Sequence, residues 1–140
     1  MKILLAVDGS EYTRRMLSYL ATHHEALGTR NSYTVFHAVL PVPPHAASFV
    51  SPSMLRGYYD DEASRVLDPI RTLLAEKGIE ASFVHHAGHP DKEIADVAEK
   101  GGYDLVIMGS HGHGALSNLV LGSVATKVLA NCNVPVLLVR

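Results

Sequence analysis

Cysteine is all but missing: Cys132 stands alone in 140 residues, which excludes an internal disulfide and fits a reducing compartment. Aromatic residues make up only 6%, and no aromatic-basic stripe suited to nucleic acid accompanies the scattered lysines and arginines. An excess of one charge is lacking as well. The formal net charge is -2, so bulk charge attracts neither nucleic acid nor anionic lipid. No apolar stretch approaches a membrane span, and Asp8 breaks the opening aliphatic run far too early for a signal peptide. Repeats and long linkers are absent too. What remains is a globular balance, 47% hydrophobic and 19% charged, in a chain long enough to bury one core unaided. The expectation is one soluble cytoplasmic domain over residues 1–140, with no membrane insertion and no nucleic-acid partner.

Residues 3–7 form a continuous aliphatic run, as expected of a parallel strand covered on both faces. Ser10 can cap a helix carrying Met16, Leu17, Leu20, Ala21 and Leu27, closed by Gly28. A second strand is expected over residues 33–40. The proline-rich residues 41–52 suggest an irregular surface excursion. A helical stripe then runs from Ala63 through Val66, Leu67, Ile70, Leu73 and Leu74, with Pro69 inside it predicting a kink. Strands are expected at 79–86, 104–108 and 134–139, with helices opening at Pro90 and carrying Val124, Val128 and Leu129.

This alternation predicts an α/β fold: a single doubly wound, five-stranded parallel sheet with helices on both faces. The order 3-2-1-4-5 reverses its winding between strands 1 and 4, whereas the flavodoxin-like order 2-1-3-4-5 sets strand 1 beside strand 3. Ligands bind beyond the carboxyl ends of the strands at such a reversal. Glycine-bearing turns follow strands 1 and 4, while strand 3 runs into His85-His86, which favours the first order.

The most informative stretch is Gly109-Ser110-His111-Gly112-His113-Gly114, followed by Gly122-Ser123. A phosphate chain needs backbone N–H groups brought close, and glycine permits the approach. A helix starting at Gly122-Ser123 would add unpaired donors and the positive end of its dipole. Spacing alone leaves two plainer readings open: a tight turn after a strand, and a glycine interruption within one helix over residues 115–130. No Gly-Lys-Ser/Thr follows, and the dinucleotide Gly-x-Gly-x-x-Gly is absent.

Gly109-x-x-Gly112, nine residues, then Gly122-Ser123 resembles the nucleotide motif of the ATP-binding branch of the universal stress protein family. Val7-Asp8-Gly9-Ser10 resembles that family's start, and Asn133-Val134-Pro135-Val136-Leu137-Leu138-Val139 its close. The resemblance covers essentially the whole chain and implies the adenine nucleotide alpha hydrolase-like fold, with ATP at the reversal point. It implies that Met108, Gly109, Ser110, His111 and Gly112 lie along the phosphates and ribose, and that Gly122, Ser123 and Val124 take the far phosphates. Asp8, beside Ala6 at the end of strand 1, would reach the nucleoside or a bound Mg²⁺, and Val39 would meet the adenine. Many relatives carry Arg where this chain has His111. A neutral imidazole supplies less charge, which predicts weaker or more pH-dependent affinity.

Other chemistry is poorly served. Asp8 is not read as a response-regulator phosphoacceptor, because that pattern has its acceptor after strand 3 and a Lys after strand 5, where this chain has His85-His86 and Arg140; Asp8 could also simply close a turn. Among nine histidines no His-Glu-x-x-His occurs, so no protein metal site is expected beyond Asp8 acting through Mg²⁺. No catalytic residue is assigned, since neither a nucleophile elbow nor a P-loop lysine is present. Residues 134–139 form a nearly all-apolar edge strand, which invites a two-fold dimer; the resemblance implies the same homodimer. It further implies a regulatory role in stress response through an unidentified protein partner, some relatives regulating transporters. Two other classes stay open: a slow ATP-hydrolysing enzyme with the same site, and a nucleotide-free interaction dimer.

Overall fold

A computed structural model describes residues 1–28, 30–114 and 118–140. Five parallel strands form one sheet: β1 (Lys2–Ala6), β2 (Ser32–Val39), β3 (Ala81–Ala87), β4 (Leu105–Gly109) and β5 (Val136–Val139), in the order β3-β2-β1-β4-β5. β1 is central, with Leu5 opposite Val35 of β2 on one side and Ile107 of β4 on the other. The helices are α1 (Glu11–His23), the single-turn α2 (Pro44–Ala47), α3 (Pro52–Glu76), α4 (Pro90–Lys100) and α5 (Ser123–Asn131).

Side chains alternate across a strand, and β1 shows the consequence. Ile3, Leu5 and Val7 pack with Leu17, Leu20, Leu67 and Ile70 of α1 and α3. Leu4 and Ala6 pack with Ile94 and Ala98 of α4 and Ala125 and Val128 of α5. Two cores therefore share one sheet, and a strand buried on both sides has no polar face to offer, which is why its sequence reads as an unbroken aliphatic run.

α1 starts where Ser10 accepts the Thr13 N–H, as its capping role predicts. α3 departs from the sequence expectation at its start. Ser51 accepts the Met54 N–H and Pro52 occupies the first turn, so the helix begins about three turns before the apolar stripe that opens at Ala63. It also continues through Pro69 for a total of 25 residues. An internal proline costs about 3 kcal/mol, but Leu67, Ile70 and Leu74 are buried around it, and each contributes roughly 1.5–3 kcal/mol. Tertiary packing outweighs the local penalty. β5 is shorter than the apolar run, starting at Val136, although the Pro135 carbonyl still accepts the Val106 N–H at 2.9 Å. No helix among the described residues is long and apolar enough to cross a membrane.

Candidate functional site

Where β1 exits between β2 and β4 the winding reverses, and a cleft of about 620 Å³ opens there, within the usual range of small-molecule sites, about 300–1,000 Å³. Its floor is the strand ends: Ala6 and Asp8, then Ala38 and Val39, then Met108 and Gly109. One wall is the glycine-rich turn with the start of α5, the opposite wall is the upper half of α3, and Pro90 and Ile94 of α4 close the side.

Asp8 is fixed by its own turn. Its Oδ1 accepts the Ser10 N–H and the Thr13 hydroxyl, each at 2.9 Å, while Thr13 Oγ1 accepts the Asp8 N–H at 3.0 Å. That leaves Oδ2 directed at Gly112, where a Cβ would stand 2.6 Å from it. The turn-closing role and the cleft-facing role of Asp8 are thus shared between its two oxygens.

The glycine motif brings two segments together. The Gly122 N–H donates to the Ser110 carbonyl at 2.8 Å, and a Cβ on Gly122 would lie 2.9 Å from His111 Cα. Gly109 is pressed in the same way against Tyr12 of α1, with 2.7 Å to its Cβ. Gly122 is the N-cap of α5, no side chain caps that end, and the first helical bond runs from Thr126 N–H to the Gly122 carbonyl. The N–H groups of Ser123, Val124 and Ala125 are accordingly left without intrahelical acceptors at the cleft wall, with the positive end of the helix dipole behind them. This is an anion-binding arrangement. The alternative of one helix over 115–130 fails from Asn118 to Leu121, which are not helical; residues 115–117 lie outside the described residues.

His111 ties the turn down: one ring nitrogen is 2.8 Å from the Ser110 hydroxyl and the other 2.8 Å from the Leu119 carbonyl, with the ring against Tyr12. Ser110 is buried and does not line the cleft, so its side chain serves the turn; the other sequence-predicted site residues, Ala6, Asp8, Val39, Met108, Gly109, His111, Gly112, Gly122, Ser123 and Val124, all do line it. The Val39 carbonyl already accepts the Gly88 N–H at 2.9 Å. Around it Val39, Leu40, Pro90 and Ile94 make an apolar slot suited to a flat ring. The cleft therefore pairs an apolar end with an anion-binding end.

Several lining residues carry no sequence motif. Tyr58, Glu62, Arg65 and Val66 come from the part of α3 that reads as loop or as isolated stripe, and His37 from β2, its ring nitrogen 2.7 Å from the Val7 carbonyl. In sequence His37 falls on the same strand face as Val35 and Val39. No group of three His, Cys, Asp or Glu able to hold a metal occurs among the described residues. His85 instead pairs with Asp60 and His86 with Glu93. Mg²⁺ is usually held through one or two carboxylates together with phosphate oxygens, and Asp8 Oδ2 fits that requirement.

The family model described as the universal stress protein family matches residues 1–140. Universal stress protein YxiE of Bacillus subtilis is 31% identical over 153 aligned positions, covering 99% of this chain and 98% of that protein. The solved structure of hypothetical protein MJ0577, from Methanocaldococcus jannaschii, superimposes with a TM-score of 0.80 at 30% identity, covering 99% of this chain and 94% of its own. The Archaeoglobus fulgidus universal stress protein in complex with dAMP shares the fold, with a TM-score of 0.67 at 21% identity and coverage of 100% and 98%. With sheet order, glycine turns and full-length similarity in agreement, this chain belongs to the universal stress protein family.

Proposed function

We propose that the cleft binds ATP together with Mg²⁺, and that the chain acts as a single cytoplasmic domain in a nucleotide-responsive, regulatory homodimer of the stress response. One observation carries the reading: the uncapped start of α5 and the glycine turn meet in the same cleft as an apolar slot. A dAMP complex in a protein of the same fold supports an adenine nucleotide as the ligand class. The N–H groups at Gly112 and at residues 123–125 would hold phosphates, Ser123 Oγ would add a donor, Asp8 Oδ2 would face Mg²⁺, and the slot by Val39 would take the base. Bound Mg²⁺ supplies charge neutralisation for the phosphates. No lining residue is committed as a general base, so occupancy rather than turnover is the signal, read by a partner protein such as a transporter.

The dimer rests on β5. Among the described residues its edge is unpaired on the side away from β4, and its side chains are only partly buried. Because Pro135 and Val139 direct their carbonyls to β4, Leu138 directs its N–H outward. Leu138→Pro therefore removes a donor at the free edge without touching the ladder. Sedimentation should show a dimer for the wild type and a monomer for this variant; a monomeric wild type sinks the dimer.

The nucleotide test is calorimetric titration of stripped protein with ATP and Mg²⁺, alongside Ser123→Asp. An acid at the first helical position favours the helix dipole but repels phosphate, so the variant should stay folded and lose the single site per chain. Absence of heat from folded wild type at several temperatures overturns the assignment.

A further inference from the structure

The cleft is lined by two acidic side chains, Asp8 and Glu62, and among the described residues by a single Lys or Arg, Arg65. From its position on α3 we infer that Arg65 sets how strongly the site discriminates nucleotides by the number of their phosphates, an inference that rests on the reading of the cleft as a nucleotide site.

The argument is one of placement along α3. At its upper end Tyr59 accepts the Val42 N–H through its hydroxyl at 3.0 Å, and its neighbour Tyr58 lines the cleft, as Leu40 does. Seven residues on, Arg65 is about 10 Å further along the helix axis. Its neighbour Val66 touches the turn after β1: a Cβ on Gly9 would stand 3.3 Å from Val66 Cγ2. Gly9 follows Asp8, whose Oδ2 meets Gly112 of the glycine turn. The contacts Val66 to Gly9 and Asp8 to Gly112 link the neighbour of Arg65 to the glycine turn, and Arg65 itself lines the same cleft.

In this state the guanidinium is paired with Glu62 on its own helix, Nη1 to Oε1 at 3.2 Å. The Arg65 side chain is 76% exposed and that of Glu62 33%. So exposed a pair is weak and screened, and a phosphate oxygen with its greater charge displaces the carboxylate at little cost. Glu62 acts as a counter-charge that a neutral nucleoside leaves in place and a polyphosphate does not. A long, flexible arginine reaching from a helix also senses a tail of variable length, whereas backbone N–H groups of the fixed turn recognise only what reaches them.

The test titrates adenosine, AMP, ADP and ATP, the last two with Mg²⁺, into wild type, Arg65→Ala, Arg65→Lys and Glu62→Gln at one fixed salt concentration. Arg65→Ala should leave adenosine affinity unchanged and weaken ATP about threefold to tenfold, the size expected of a partly exposed charged contact. Arg65→Lys should keep most of the ATP affinity, and Glu62→Gln should raise it. Equal weakening of all four ligands by Arg65→Ala, or none, overturns this inference alone. A folded wild type that binds none of the four overturns the nucleotide site and this inference with it.

Discussion

Gly122→Ala adds one methyl group where two backbone segments touch. The backbone of Gly122 is at φ -71 and ψ 163, a conformation any residue adopts, so the substitution carries no dihedral penalty. Its cost is steric. The new Cβ would stand 2.9 Å from His111 Cα and 3.2 Å from the Ser110 carbonyl oxygen, and neither is the free end of a side chain that can swing aside. The two turns must part, stretching the Gly122 to Ser110 hydrogen bond of 2.8 Å. Overpacking of this kind costs about 1–3 kcal/mol. A domain of this size loses roughly 3 °C in Tm per kcal/mol, so melting should fall by roughly 3–9 °C. Gly57→Ala supplies the opposite sign: Gly57 is inside α3, and beyond its own helix backbone nothing lies within 4 Å of its would-be Cβ, so alanine there should stabilise by about 0.5–1 kcal/mol. Calorimetric melts of both variants, with and without ATP and Mg²⁺, check this. At ligand near 100 times Kd, binding adds about 2.7 kcal/mol to the wild type, and that increment should shrink in Gly122→Ala. A Gly122→Ala protein melting at or above wild type, with the ATP increment intact, refutes the claim that the turns are in contact.

Thr13→Val keeps the shape of a side chain only 4% exposed but leaves the Asp8 N–H without its acceptor and Oδ1 with only the Ser10 N–H as donor. Urea unfolding should show a loss of about 1–3 kcal/mol with an unchanged m value; no change in midpoint would mean that water replaces the hydroxyl. Phe36→Ala empties the largest of the fully buried side chains, at a cost of about 3–5 kcal/mol, and denaturant titration should place it well outside the range of surface substitutions. His111→Ala releases the Leu119 carbonyl and the Ser110 hydroxyl. Hydrogen exchange at the Gly122 amide should accelerate while exchange in β1 stays at its wild-type rate; uniform acceleration would show that the ring serves the whole fold rather than the turn.

How much of this was legible depends on what each segment packs against. β1 and β4 are buried on both faces, and their aliphatic runs announce it. Sheet order followed from the placement of the glycine turns after the first and fourth strands, and the structure has that order. The upper half of α3 was not legible, because it hangs over a cleft and not over the sheet. Between Pro52 and Glu62 only Leu55, Tyr59 and Glu62 are even partly buried, too sparse a stripe to read as a helix. Pro69 shows a related limit: its local cost is plain in sequence, while the burial of Leu67, Ile70 and Leu74 that offsets it is not. At the site, glycine spacing located both halves of the wall, but it does not state which way a loop side chain turns. Ser110 consequently turned out to hold His111 from beneath, and Arg65, with no motif around it, went unread.

Three of the motif's glycines, Gly109, Gly112 and Gly122, are pressed against Tyr12, Asp8 and His111 of this chain before any ligand is considered. Selection for a folded protein alone would therefore preserve them. A descendant that ceased to bind nucleotide would keep its signature for as long as α1 and the two turns stayed packed together, and the first traces of such a loss would be substitutions at residues the fold does not need, Ser123 and Arg65 among them.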